Sequence, residues 1–128
     1  MNLAELILHS SLPVHELTES ESEQLKQTLL EIYKDVLYAC QKHGLTVMLG
    51  GGSCLGAVRH NGFIPWDDDL DVMMMRADYD RLPEVMRQEY GDKYTYMGPN
   101  ISDHTNTPFI KLGKRGTIFT TIYDQPDA

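Results

Sequence analysis

The stretch GFIPWDDDLDVMMM, Gly62 to Met75, sets four aspartates within positions 67 to 71 and then runs directly into apolar sequence. Residues two apart on a β-strand share a face. A strand over Asp69 to Met74 would therefore put Asp67, Asp69 and Asp71 on one side, with Asp68, Leu70, Val72 and Met74 on the other. The Cα atoms of Asp69 and Asp71 would lie about 6.6 Å apart. Two ionised carboxylates at that range repel by roughly 2.5 kcal/mol at an effective dielectric of 20. Protonation would relieve the repulsion, and so would a divalent cation, since hard cations prefer oxygen ligands. Read alone, the same residues also suit a solvated acidic turn ahead of a strand. A calcium loop is excluded. Val72 stands where its sixth position needs Gly, and Asp78 where its twelfth needs Glu.

Upstream, Leu45 to Leu49 reads as a short buried strand that meets Gly50-Gly51-Gly52-Ser53, and Cys54 to His60 as a short helix. Glycines between a strand and a helix let backbone N–H groups face a phosphate, and the helix start adds positive potential. A plain tight turn explains the glycines equally. The run is neither a P-loop, for no Gly-Lys-Ser/Thr follows, nor a dinucleotide fingerprint.

Further out, Thr18–Glu21 and Ser20–Glu23 both satisfy the capping-box pattern. Leu25, Leu29, Ile32, Val36, Leu37 and Cys40 then recur at helical spacing until Gly44 stops the run. Asp78 to Tyr90 predicts a second long helix, with Pro83 in its first turn or marking a later start. Tyr94 to Met97, Phe109 to Leu112 and Thr117 to Tyr123 are strand candidates, and Gly98 to Pro108 a loop. The fold class expected is α/β (α+β), a small mixed sheet flanked by helices. Residues 1–17 form an N-terminal segment and 18–128 the domain.

The totals narrow the function. At 128 residues the chain can build one core, and 41% hydrophobic with 23% charged residues is ordinary for a globular domain. A formal net charge of −8 argues against nucleic acid as a partner, and against an anionic membrane. No apolar run approaches the roughly 18–20 residues of a transmembrane helix. Cys40 and Cys54 lack metal-site spacing and are expected to be reduced packing residues of a cytoplasmic protein.

A Gly-Gly-Ser turn, fifteen residues, then Asp-Leu-Asp on a strand is a layout that resembles the nucleotidyltransferases of the DNA polymerase beta superfamily. The block CQKHGLTVMLGGGSCLGAVRHNGFIPWDDDLDVMMMRADYDRL, Cys40 to Leu82, is more specific and resembles the signature of the LicD family. The helix from Thr18 to His43 and the later FIKLGKRGT, Phe109 to Thr117, are similar to further parts of that family. The resemblance implies a phosphotransferase of nucleotidyltransferase fold. It would move phosphocholine or a similar phospho-alcohol from a CDP-linked donor, CDP-choline or a CDP-polyol, to a glycan acceptor such as lipopolysaccharide or teichoic acid. Carried over by residue, Gly51, Gly52 and Ser53 match the phosphate turn. Asp67, Asp69 and Asp71 match the acidic motif for Mg2+ or Mn2+, with Asp69 and Asp71 as the candidate catalytic pair.

Two departures stand out. Ser53-Cys54 replaces the family's Thr-Leu, which keeps the hydroxyl. A further carboxylate on a later strand usually completes the family's metal site; here Asp124, in TIYDQPDA, is a stand-in whose context does not match. The expectation is an N-terminal part of a longer fold, acting in the cytoplasm or at the inner membrane face through its acceptor.

Arg59 has two readings, a clamp on the diphosphate or an ion pair with one of Asp67 to Asp71. Trp66 is expected to pack and fix the loop before Asp67, in preference to stacking on a ligand. His60 carries no assignment, His43 is read as structural, and Lys111 and Lys114 as a solvated pair. Two rival functions remain: nucleotide transfer to a small molecule, and nucleotide binding without turnover.

Overall fold

The computed structural model describes residues 16–99 and 108–117. Element α1, Glu19–His43, starts at Thr18, whose hydroxyl accepts from Glu21 N while the Glu21 carboxylate accepts from Thr18 N. Of the two capping boxes in the sequence, the first is the one used. Gly44 ends the helix in the left-handed region at φ 70°, donating to Cys40 O. The chain continues through β1 (Met48–Leu49), α2 (Gly51–His60), β2 (Val72–Met73), α3 (Arg76–Tyr90), β3 (Tyr94–Met97) and β4 (Lys111–Lys114).

The strands make two separate antiparallel pairs, which fits the mixed α/β expectation. β1 pairs β2 with Met48 opposite Met73, and β3 pairs β4 with Tyr94 opposite Lys114. The core forms where α1 meets α3 and β3. Val36, Ala39 and Cys40 pack with Leu45, Leu82, Val85, Met86 and Tyr94, all buried. Apolar burial of this kind, at roughly 25 cal/mol per Å², outweighs a weak local preference. That explains Pro83, which lies eight residues into α3 and not in its first turn. Its missing N–H and ring clash cost about 3 kcal/mol in a helix interior, yet Pro83 is itself buried beside Leu82, Val85 and Met86.

Polar ties fasten the second hairpin to α1. Lys93 contacts Asp35 at 2.7 Å and Glu31 at 3.2 Å, and Lys114 contacts Glu31 at 2.9 Å. The buried Tyr94 hydroxyl donates to the Asp35 carboxylate, and Tyr90 donates to Asp35 O. Lys114 is therefore an anchor, not half of a solvated pair. His43 meets Glu89 at 2.8 Å, which joins the end of α1 to α3 in the structural role expected of it.

Further expectations need correction. The strand foreseen over Asp69–Met74 is only Val72–Met73: Asp71 O still accepts from Gly50 N in the β1–β2 register, but the Asp71 N–H leaves the ladder for Ser53 Oγ. Val72 is 37% exposed, so it does not hold that segment to the core, while Leu70 and Met74 are half-buried. Cys40 is a buried packing residue, but Cys54 is exposed; both are free thiols. The strand proposed over Phe109–Leu112 is displaced to Lys111–Lys114. The strand proposed over Thr117–Tyr123 falls, from residue 118 onward, outside the described residues, as do Asp124 and most of the loop from Gly98 to Pro108. Among the described residues no helix is long and apolar enough to cross a membrane.

Candidate active site at the start of helix α2

The glycine run becomes the start of α2. Gly50 is the extended N-cap without a side-chain cap, and the helix includes Gly51, Gly52 and Ser53. Gly51 sits at φ 48°, a conformation that favours glycine. Its amide, with those of Gly52 and Ser53, belongs to the first turn, where backbone N–H groups have no partner within the helix.

The acids come to this turn from the loop that follows α2. Asp71 O accepts from Gly50 N at 2.9 Å, and Asp71 N donates to Ser53 Oγ at 2.8 Å. The Asp71 carboxylate oxygen Oδ2 lies 3.2 Å from where a Cβ on Gly51 would stand. Asp67 Oδ2 lies 3.1 Å from the equivalent point on Gly52. The two glycines thus open the space in which two carboxylates approach a helix N-terminus, the end whose partial positive charge favours anions.

The loop is held further back as well. Gly62 N donates to Gly56 O at 3.3 Å, Asp67 N donates to Ile64 O at 3.0 Å, and Ile64 is buried. Lys26 on α1 donates to Pro65 O at 2.9 Å, a tie across 39 residues that nothing in the sequence pattern announces. Gly56 packs so tightly that a Cβ there would stand 2.5 Å from Gly62 O.

Asp69 lies between the two anchored acids. Its carboxyl is held above the usual aspartate range, first by loss of hydration beside the protein although the residue is exposed, then by Asp71, Asp68 and Asp67 in that order. This is the mutual repulsion expected from the sequence, now in a loop instead of along a strand. Asp68 is exposed.

The donor set suits a hard divalent cation in kind, since it consists of carboxylate oxygens beside a turn of free amides. Asp67 and Asp71 are drawn to the turn. Among the described residues, no group of three or more His, Cys, Asp or Glu side chains is gathered to hold a metal ion. The residues present therefore fit part of a coordination shell, as Mg2+ sites often do when phosphates supply the rest.

Other candidates stand apart. Arg59 is exposed in the last turn of α2, about 12 Å along the axis from Gly51. Its Nε faces His60 Nδ1 at 3.4 Å, and it makes no ion pair with Asp67 to Asp71. Trp66 is 76% exposed, so the expectation that it packs and fixes the loop is wrong. Lys26 and the Gly56 contact do that work. A cleft of about 470 Å³ opens beside Ser53, lined also by Tyr33, Leu49, Phe63 and Leu70.

Residues 44–123 match the family model described as LicD/FKTN/FKRP, nucleotidyltransferase domain. The chain belongs to the LicD family. Both halves of the site, the glycine turn and the acidic loop, fall inside the matched region. The lipopolysaccharide cholinephosphotransferase LicD of Haemophilus influenzae is 49% identical over 55 residues, covering 43% of this chain and 21% of that protein. An uncharacterized protein of Rickettsia typhi is 36% identical over 108 residues, 81% of this chain and 35% of the relative. The ribitol 5-phosphate transferase FKRP of Homo sapiens is 34% identical over 65 residues, 51% of this chain and 13% of that protein. The LicD domain described here thus spans about a third or less of each of these relatives. No solved structure matches the chain.

Proposed function

We propose that this LicD domain belongs to a metal-dependent phosphotransferase that moves a phospho-alcohol, phosphocholine or a polyol phosphate, from a CDP-linked donor to a hydroxyl of a cell-surface glycan. The observation that carries the reading is the approach of Asp67 and Asp71 to the first turn of α2. Carboxylates beside free amides suit a diphosphate only when a cation offsets the negative charge, which is why the reading includes Mg2+ or Mn2+. Relatives named for choline-phosphate and ribitol-phosphate transfer support the substrate class.

In this reading Asp67, Asp69 and Asp71 hold the ion against the donor diphosphate. The bound ion supplies charge neutralisation at the phosphorus and on the departing CMP. The backbone amides of Gly51 to Ser53 orient phosphate oxygens for in-line attack by the glycan hydroxyl. Arg59 reaches the donor only if the donor extends along α2. The site works from the cytoplasmic side, where its donor and a membrane-attached acceptor meet.

Calorimetric titration of Mn2+ with CDP-choline tests the metal assignment. The double variant Asp69→Asn/Asp71→Asn is expected to lose binding, and wild-type affinity in that variant sinks it. Mass spectrometry of the modified acceptor separates addition of a phospho-alcohol from addition of a nucleotide, the rival reaction on the same fold. A second reading, nucleotide binding without turnover, is favoured by the lack of a gathered third carboxylate among the described residues. Tight Mn2+ and CDP-choline binding without any modified acceptor would select it.

A further inference from the structure

The Ser53 side chain is buried, at 9% exposure. Its oxygen is engaged by the amide of Asp71 at 2.8 Å, across 18 residues of sequence. The carbonyl of the same Asp71 is held by Gly50 N at 2.9 Å. Residue 71 is therefore gripped on both sides of its Cα by the α2 turn, and its carboxylate comes to rest 3.2 Å from the space above Gly51. The Gly50 bond continues the β1–β2 register by one pair beyond Leu49–Val72, so the contact that the ladder does not supply is the one from Asp71 N to Ser53 Oγ.

We infer that Ser53 is a positioning residue whose hydroxyl oxygen sets the Asp71 carboxylate against the glycine turn, in place of the direct phosphate contact its motif suggests. The Cα–Cβ bond of Asp71 springs from the backbone that Ser53 and Gly50 clamp. Loss of either clamp lets the carboxylate swing away from the turn. Burial of the Ser53 side chain, and not the bond its oxygen accepts, sets the hydroxyl back from a phosphate arriving from solvent. The amides of the same turn remain for that purpose. The inference rests on the metal-dependent reading only where ion affinity is measured; the clamp itself is tested without any ion.

Amide hydrogen exchange of Asp71, followed by NMR in the metal-free protein, reads the clamp directly. Ser53→Ala is expected to speed exchange at Asp71 about tenfold, the equivalent of one hydrogen bond of roughly 1.4 kcal/mol. Amides in α1 should keep their rates. Ser53→Thr, which retains the oxygen, should stay near wild type, and it covers the case in which Ser53→Ala fails to fold. Unchanged exchange at Asp71 in Ser53→Ala, or loss of protection in Ser53→Thr as well, would overturn the proposal. Mn2+ calorimetry gives the second reading, with affinity weakened about tenfold in Ser53→Ala and held in Ser53→Thr. Unchanged Mn2+ affinity together with a raised KM for the donor would make Ser53 a phosphate contact and overturn it. If the wild-type protein binds no Mn2+, the metal reading fails, and the exchange rates still decide the role of Ser53.

Discussion

Asp67 Oδ2 occupies the space that a side chain on Gly52 would enter, 3.1 Å from the missing Cβ. A methyl group there would press on the free end of a flexible carboxylate and on no backbone atom. Gly52→Ala should therefore displace Asp67 by a few tenths of an ångström and cost the fold little. Ala in place of a helical Gly even gains up to about 1 kcal/mol in propensity. The expected outcome is unchanged or slightly raised Tm with clearly weakened Mn2+ binding, read by scanning and titration calorimetry. Mn2+ affinity equal to wild type would show that Asp67 is not a ligand.

Gly56 offers the opposite case, since its virtual Cβ stands 2.5 Å from Gly62 O and 3.0 Å from Ile64 N. Both neighbours are backbone, so the loop that leads to the acids has to move. Overpacking of this kind costs typically 1–3 kcal/mol, which exceeds the propensity gained by Ala in a helix. Gly56→Ala should lower the urea midpoint accordingly and weaken Mn2+ binding with it. Gly62→Ala, with nothing within 4 Å of the added methyl, should change stability by no more than about 0.5 kcal/mol.

These two glycines show how far the sequence could be read. Periodicity and caps placed α1 from Thr18 to Gly44, because local signals and the apolar stripe agree there. Tyr94–Met97 was legible as a strand from its composition. The acids were found as a cluster with a shared destination, but their support was misread: alternation implies a strand only if a ladder exists to enforce it. Asp71 keeps its carbonyl in the ladder, accepting from Gly50 N, but spends its N–H on Ser53, so the strand proper starts one residue later. Trp66, Lys26 and Gly56 could not be sorted from the sequence, because their roles depend on what α1 and α2 bring near them. Apolar character alone assigned Trp66 to packing, and tertiary geometry left it exposed.

Asp69 carries the strain of the cluster. Loss of hydration and then the charges of Asp71, Asp68 and Asp67 all disfavour its ionised form. In the absence of divalent cation, Asp69→Asn should raise Tm at neutral pH by removing one member of the repelling set. Mn2+ should then stabilise the wild type in proportion to its concentration and leave the variant nearly unmoved, since only a ligand bound to the native state shifts unfolding. Thermal shift with and without Mn2+ reads both arms. A variant less stable than wild type under metal-free conditions would refute the repulsion, and equal Mn2+ shifts would remove Asp69 from the ligand set.

Asp35 and Tyr94 govern the opposite side of the fold. Burial works to raise the Asp35 pKa, but hydrogen bonds from Lys93 and Tyr94, aided by the charges of Lys93 and Lys114, win and hold it below the usual range. Glu31 is lowered too, by Lys114 and then Lys93. A carboxyl whose folded pKa is depressed lends stability above its unfolded value, about 3.9 for Asp, and loses it as pH falls through the lower folded value. Urea midpoints should therefore fall as the pH drops below about 4, and Asp35→Asn should flatten that fall while lowering the midpoint at neutral pH. Tyr94→Phe removes a buried hydroxyl that donates to a charged group and should cost about 1.5–3 kcal/mol at pH 7. Part of that cost should disappear in the double variant with Asp35→Asn, because the two groups share one hydrogen bond. Additive losses in that cycle would mean the Tyr94–Asp35 contact contributes nothing to holding the β3–β4 hairpin on α1.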